Sequence, residues 1–385
     1  KSSKNLENTP FAVNTCTPAA ISVSIELLEN NVNLASLLET WGDANVLATG
    51  GAIIGLVFGF AAQRSRFCAR AAVLECCEGK AGERLSVWLL AFGACLFSVQ
   101  CMVAMGWLKP SVTRFMAQPG SISGAIVGGL CFGAGMILTR GCASRLLVLS
   151  ANGNLRALLS GLVFAVTVQA TVGGWLAPLK LSVTQLWPVD GGPSRDLLQL
   201  SGIGHTGGLI LSAVLLVTGG VFFMRHHAGR WALGLGAVLV GTSIAMGWGF
   251  TQAIASTSFE PVAVQSLSFS SPSAEWLMRV LSTANAAGWG FDTGVLPGTF
   301  LGSLIGAVLG REFRLEGFKT ENKLGHYLSG AILMGFGAVL AGGCTVGAGM
   351  TGGAIFALTA WLTLISIWVG AGLAWRLSKR MAWAI

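Results

Sequence analysis

Nine apolar stretches, each about as long as a bilayer is thick, divide this chain and leave few folds open to it. They lie near residues 46–62, 86–108, 121–140, 155–177, 207–224, 230–252, 288–310, 325–342 and 355–375. Crossing the hydrocarbon core takes about 20 apolar residues in a helix. With no water there to satisfy backbone N–H and C=O groups, only helices and closed barrels can span. The stretches are continuously apolar and too long for barrel strands, so the expected fold is an all-α polytopic membrane protein. Of the 385 residues, 53% are hydrophobic and 10% charged, against about 25% charged in a soluble domain. The 54 glycines suit helices whose backbones approach closely in lipid. The third and eighth stretches are Gly-rich and broken, and each is followed by a short apolar run able to re-enter the membrane as a short helix.

Charge placement orients these stretches. With the C-terminal Arg376, Lys379 and Arg380 placed in the cytoplasm, alternation puts seventeen of the 24 Lys and Arg residues inside and seven outside. The bias follows the positive-inside rule and predicts a periplasmic or extracellular N-terminus and a cytoplasmic C-terminus. It also accounts for the net charge of +8 through basic loops beside anionic lipid, and no basic, aromatic-interleaved surface argues for nucleic acid. Residues 1–45 carry a short amphipathic pattern (Ile21, Ile25, Leu28, Val32) but no secretory-signal pattern. They are expected to be an interfacial helix or an extramembrane extension. The expected division is then 1–45 extension, 46–177 first repeat, 178–229 connecting loop and linking helix, 230–375 second repeat and 376–385 cytoplasmic tail.

The word repeat rests on a motif. Gly133, Gly135, Leu138 and Gly141-Cys142 align with Gly335, Gly337, Leu340 and Gly343-Cys344, so G-x-G-x-x-L-x-x-G-C occurs twice at an offset of 202 residues. Four apolar stretches precede the one at 207–224 and four follow it. A single extra crossing flips the second copy, giving a 4+1+4 inverted repeat of the kind that places substrate sites near the midplane. A weaker correspondence pairs Gly59 and Phe67-Cys68 with Gly247 and Phe259-Glu260.

The nine cysteines resemble neither a disulfide framework nor a metal site. No CxxC pair exists, and the four histidines lack ligand spacing, so no metal or cofactor is expected. Cys95, Cys101 and Cys131 read as small buried hydrophobes. Cysteine on a broken Gly-rich turn is a different case. Irregular backbone at membrane depth must line a cavity or be buried in protein, and a helix N-terminus beside it attracts an anion. A neutral thiol is a soft, weak donor that costs little to bury, which suits passage of a soft anion ending in sulfur. The plainer alternative is that both turns are close-packing devices with incidental cysteines.

Four motifs, in order, are similar to those of the YeeE/YedE sulfur-transport family: Gln63-Arg64-Ser65-Arg66-Phe67-Cys68, Phe132-Gly133 through Gly141-Cys142, Gly310-Arg311-Glu312-Phe313-Arg314, and Leu333-Met334-Gly335 through Gly343-Cys344 and Gly347. The resemblance covers about residues 46–375. It implies a transporter, not an enzyme, that takes up a small reduced-sulfur anion such as thiosulfate through a relay of thiols. The family's conducting cysteines carry over to Cys68, Cys142 and Cys344, with Gly141, Gly343, Arg66 and Arg140 as candidate substrate-lining or anion-binding residues. The first copy departs from the family, reading Arg140-Gly141-Cys142 where many members have Gly-Gly-Cys. Arg140 could bind anion, gate the path or snorkel to the interface. Two further readings stay open. One is a membrane sulfurtransferase, for which Arg66 and Arg140 would favour a thiolate although no base lies near in sequence. The other is a selenium-compound transporter or a subunit handing substrate to a soluble cytoplasmic sulfur-carrier protein. Asp292 is the sole candidate intramembrane carboxylate.

Overall fold

A computed structural model of the chain describes residues 36, 38–80, 82–281, 288–317 and 324–381. The amphipathic pattern at 21–32 lies outside them, as do residues 382–385 of the expected tail. The remainder of that tail is helical to Arg380.

The first half runs α1 (Asp43–Arg64), short α2 (Ala69–Cys77), α3 (Glu83–Ala104), α4 (Ile122–Leu138), short α5 (Ala143–Ala151) and α6 (Leu155–Gly173). After two short helices in the connecting loop (Ala177–Thr184 and Leu197–Leu200), the long helix α7 (Gly204–His226) follows. The second half runs α8 (Trp231–Thr257), short α9 (Ser270–Leu281), α10 (Phe291–Leu309), α11 (Leu324–Leu340), a π-helical turn (Thr345–Gly352) and α12 (Leu358–Arg380). Among the described residues, nine spans are long and apolar enough to cross a membrane, and each falls on one of the nine stretches. The protein is an all-α polytopic membrane protein. Two short helices, α2 and α9, were not expected. Their sequences (Ala69-Arg70 onward, and the Ser-rich start at Ser270) are too polar and brief to register as apolar spans.

Both halves follow one order, and their packing partners match as well. Helix α1 packs on α10 as α3 packs on α8; α4 packs on α12 as α6 packs on α11; α2 meets α12 as α9 meets α6. The self-paired elements are α1 with α8 and α4 with α11. Helices α4 and α11 are antiparallel, since Gly124 abuts Leu340 while Gly135 abuts Gly330 and Met334. Helix α7 packs chiefly on α3 and leaves most of its surface outward.

The α1–α10 contact is a zipper of small residues. Gly51, Gly55 and Gly59 face the backbone of α10, and Gly294, Gly298 and Gly302 face the backbone of α1. A Cβ at any of the six would collide with a carbonyl oxygen opposite. Lipid offers no hydrophobic drive between helices, so this backbone approach supplies the dispersion contact instead. Helix starts are capped where polar groups allow: Ser121 Oγ accepts from Gly124 N at 3.0 Å and Asn154 Oδ1 from Ala157 N at 3.0 Å.

Candidate functional site

Three long helices end in the same way just before a cysteine. Helix α1 closes through Arg66 at φ 53°, α4 through Arg140 at φ 60° and α11 through Gly342 at φ 74°. A left-handed residue stops a helix and folds its last carbonyls into short bonds: Phe67 N donates to Ala62 O at 3.1 Å and Gly343 N to Ala338 O at 2.8 Å. The chain then turns back and starts a short helix whose N-cap is Cys68, Cys142 or Cys344. In each case a broken backbone leaves a thiol beside a helix N-terminus, the partially positive end.

These turns meet. Cys142 and Cys344 are buried, at 1% and 0% exposure, and Cys68 is half-buried. The Cys142 thiol lies within electrostatic range of both Cys68 and Cys344. Its Sγ is 3.4 Å from Ser144 Oγ, and it lies beside Thr345, whose buried hydroxyl has no other hydrogen-bond partner among the described residues. Cys344 Sγ accepts from Gly347 N at 3.3 Å and borders the backbone of Phe269.

That last neighbour identifies a residue the sequence reading missed. Phe269-Ser270 lies 202 positions after Phe67-Cys68, the same offset that relates Cys142 to Cys344, and Gln265 likewise follows Gln63. Ser270 opens α9 as Cys68 caps α2, with Ser268 Oγ 3.4 Å from its hydroxyl. The weaker correspondence through Phe259-Glu260 does not survive, because Phe259 is fully exposed and both residues lie in the loop beyond α8. The signal was available in the shared offset but was hidden by a change from Cys to Ser.

Of the lining candidates, Gly141 and Gly343 sit at the thiols. Arg66 does not face them. It pairs with Glu312 at 3.0 Å on the surface, in a network where Gln63 donates to Glu312 at 2.7 Å and accepts from Asn152 at 2.9 Å. Arg66 thus ties the α1–α2 elbow to the loop after α10. Arg140 stands over the ring of Tyr327, 5.8 Å from its centroid.

At the other end of α4, by Gly342, a cavity of about 520 Å³ opens, lined by Arg114, Lys180 and Arg195 and by no Asp or Glu. Arg195 is buried. It donates to Gln118 O and to Thr359 Oγ1, while its Nε finds no partner among the described residues. Burial lowers its pKa from the usual arginine value, yet a guanidinium stays charged in proteins. Three cations on the lining make an electropositive mouth that attracts anions, with Glu275 and Asp292 within electrostatic range of Arg114. The sequence could not announce it, since Arg114 and Arg195 come from loops about eighty residues apart.

Known membrane transporters resemble this chain over most of its length. A thiosulfate transporter, TsuA, from Spirochaeta thermophila is 28% identical over 357 residues, covering 86% of this chain and 99% of that one. The thiosulfate transporter TsuA of Escherichia coli is 26% identical over 369 residues, covering 86% and 96%. The profile of the Sulphur transport family matches residues 64–373, a stretch that contains Cys68, Cys142, Cys344 and both ends of α4, and the chain belongs to that family of membrane transporters.

Proposed function

We propose that this protein carries thiosulfate, or a closely similar reduced-sulfur anion, across the bacterial inner membrane by passing it along Cys344, Cys142 and Cys68. The observation that supports this reading is the placement of three thiols on the N-caps of short helices, with Cys142 in electrostatic range of the other two. The two halves act as an inverted repeat about α7, with the N-terminus outside and the C-terminus in the cytoplasm. The cavity at Arg114, Lys180 and Arg195 then faces outward and collects the dianion, and Cys344 is the first thiol it meets. The terminal sulfur of the anion accepts a weak S–H hydrogen bond from each thiol in turn, while the helix N-termini offset its charge.

The sulfurtransferase reading loses one of its supports, because Arg66 is engaged by Glu312. Uptake of ³⁵S-thiosulfate by cells or liposomes, comparing the natural chain with Cys68→Ala, Cys142→Ala and Cys344→Ala, tests the proposal. Each change is expected to cut uptake at least about tenfold, equivalent to about 1.4 kcal/mol on the limiting barrier. Uptake that survives all three removes the relay. A thiosulfate-dependent persulfide on one of the cysteines would replace conduction with sulfur transfer.

A further inference from the structure

The face of the molecule opposite the vestibule holds a second collection of cations. Arg156, in the first turn of α6, lies over the Tyr327 ring at 4.6 Å from the centroid and donates to its hydroxyl at 2.9 Å. Arg140 reaches the same ring from the α4–α5 turn. Arg70, the second residue of α2 and two positions after Cys68, is close enough to Arg140, Arg156, Tyr327 and Cys68 to interact electrostatically with all four. Its Nε is buried with no hydrogen-bond partner among the described residues. Tyr327 itself is buried at 8% exposure.

Arg70 and Arg156 lie within electrostatic range of each other, and like charges so placed repel unless negative charge joins them. Ion pairs among the described residues join Arg66 to Glu312 and Arg230 to Glu83, and neither Arg70 nor Arg156 takes part in them. The conformation of Arg140 points the same way. Its turn needs a left-handed residue, which the second copy supplies with Gly342, and a non-glycine residue held there is typical of functional positions. Arginine forks match tetrahedral oxyanions, and a tyrosine hydroxyl that accepts from Arg156 keeps its own proton to donate.

We propose that Arg70, Arg140 and Arg156, gathered around Tyr327 beside Cys68, form a second anion site that binds a tetrahedral sulfur dianion, such as sulfate or thiosulfate, through its oxygens. Its use as the release station of the thiol path rests on the conduction reading; binding itself does not. Tyr327 is the one tyrosine in the chain, so 3-fluorotyrosine labelling gives a single ¹⁹F resonance in protein reconstituted into phosphatidylcholine nanodiscs. Sodium sulfate and sodium thiosulfate are expected to shift it saturably, and sodium chloride at matched ionic strength is not. R140G keeps a residue suited to the turn, and R156Q removes the cation on the hydroxyl. Each is expected to raise the midpoint at least about tenfold, a loss of about 1.4 kcal/mol of binding free energy. A resonance indifferent to both dianions, an equal response to chloride, or midpoints unchanged in both variants overturns the site. A shift on adding phosphatidylglycerol, with none from the dissolved dianions, assigns the cations to a lipid headgroup and also overturns it. Sulfate binding without thiosulfate uptake would remove the conduction reading and leave the site; uptake without any shift would do the reverse.

Discussion

The two Gly-Cys turns do the same job with unequal materials. In the second copy, Gly342 takes the left-handed conformation at no steric cost, Gly343 follows, and the chain winds into a π-helical turn tight against its surroundings. A Cβ at Gly343 would lie 2.7 Å from Ala348 N. In the first copy Arg140 is forced into that conformation, Gly141 follows, and a regular helix begins. A Cβ at Gly141 would meet side-chain atoms no closer than 3.4 Å. Thr139 braces the looser turn, its hydroxyl 2.8 Å from the carbonyls of both Gly135 and Gly141. One copy is held by packing, and the other gives up packing to place a cation. In the proposed topology the tight copy faces the vestibule and the loose one faces the Tyr327 cluster, so an internal repeat has been divided between two ends of one path.

Substitutions can break this comparison. Gly343→Ala must move backbone, because the blocking atom is an amide nitrogen, and it is expected to abolish uptake and to destabilise the protein by about 1–3 kcal/mol. Gly141→Ala is expected to keep most uptake; an equal loss at both sites would show that the two turns are constrained alike. Gly342→Ala has open space around its Cβ and suffers only the left-handed penalty, about 1 kcal/mol in a detergent thermal melt. Arg140→Gly should show the opposite sign at a similar or smaller size, because it relieves that penalty while losing the contact with Tyr327. Cys68→Ser should be the mildest change at a thiol, retaining more uptake than Cys68→Ala, since Ser270 already holds the corresponding position in the other half. Equal uptake by the two variants would mean that a hydroxyl cannot stand in for the thiol there.

Much of this arrangement could be read before any coordinates. The spans were legible because lipid demands long uninterrupted apolar runs, and no soluble alternative produces nine of them. Cys142 and Cys344 were legible because glycines at fixed spacing repeat around them, and Cys68 through a family motif. Ser270 was not, although it shares the 202-residue offset, because serine there interrupts the pattern of cysteines. Arg66 misled for another reason. Beside Cys68 in sequence it looked like an anion ligand, yet the left-handed turn that frees Cys68 sends Arg66 to a carboxylate 246 positions away. The vestibule and the Tyr327 cluster were out of reach because their cations come from separate loops and helix ends, joined only when α4 lies antiparallel to α11.

The closure of Cys142 and Cys344 to solvent has a consequence for the cell's energy supply. Protons cross membranes readily along continuous files of water, and a conduit open enough to hydrate a dianion would short-circuit the gradient that drives ATP synthesis. In the proposed path the middle is occupied by Cys142 and Cys344, at 1% and 0% exposure, where a hydrated dianion has no room. On the proposed relay, a sulfur source would be admitted while the membrane stays insulated.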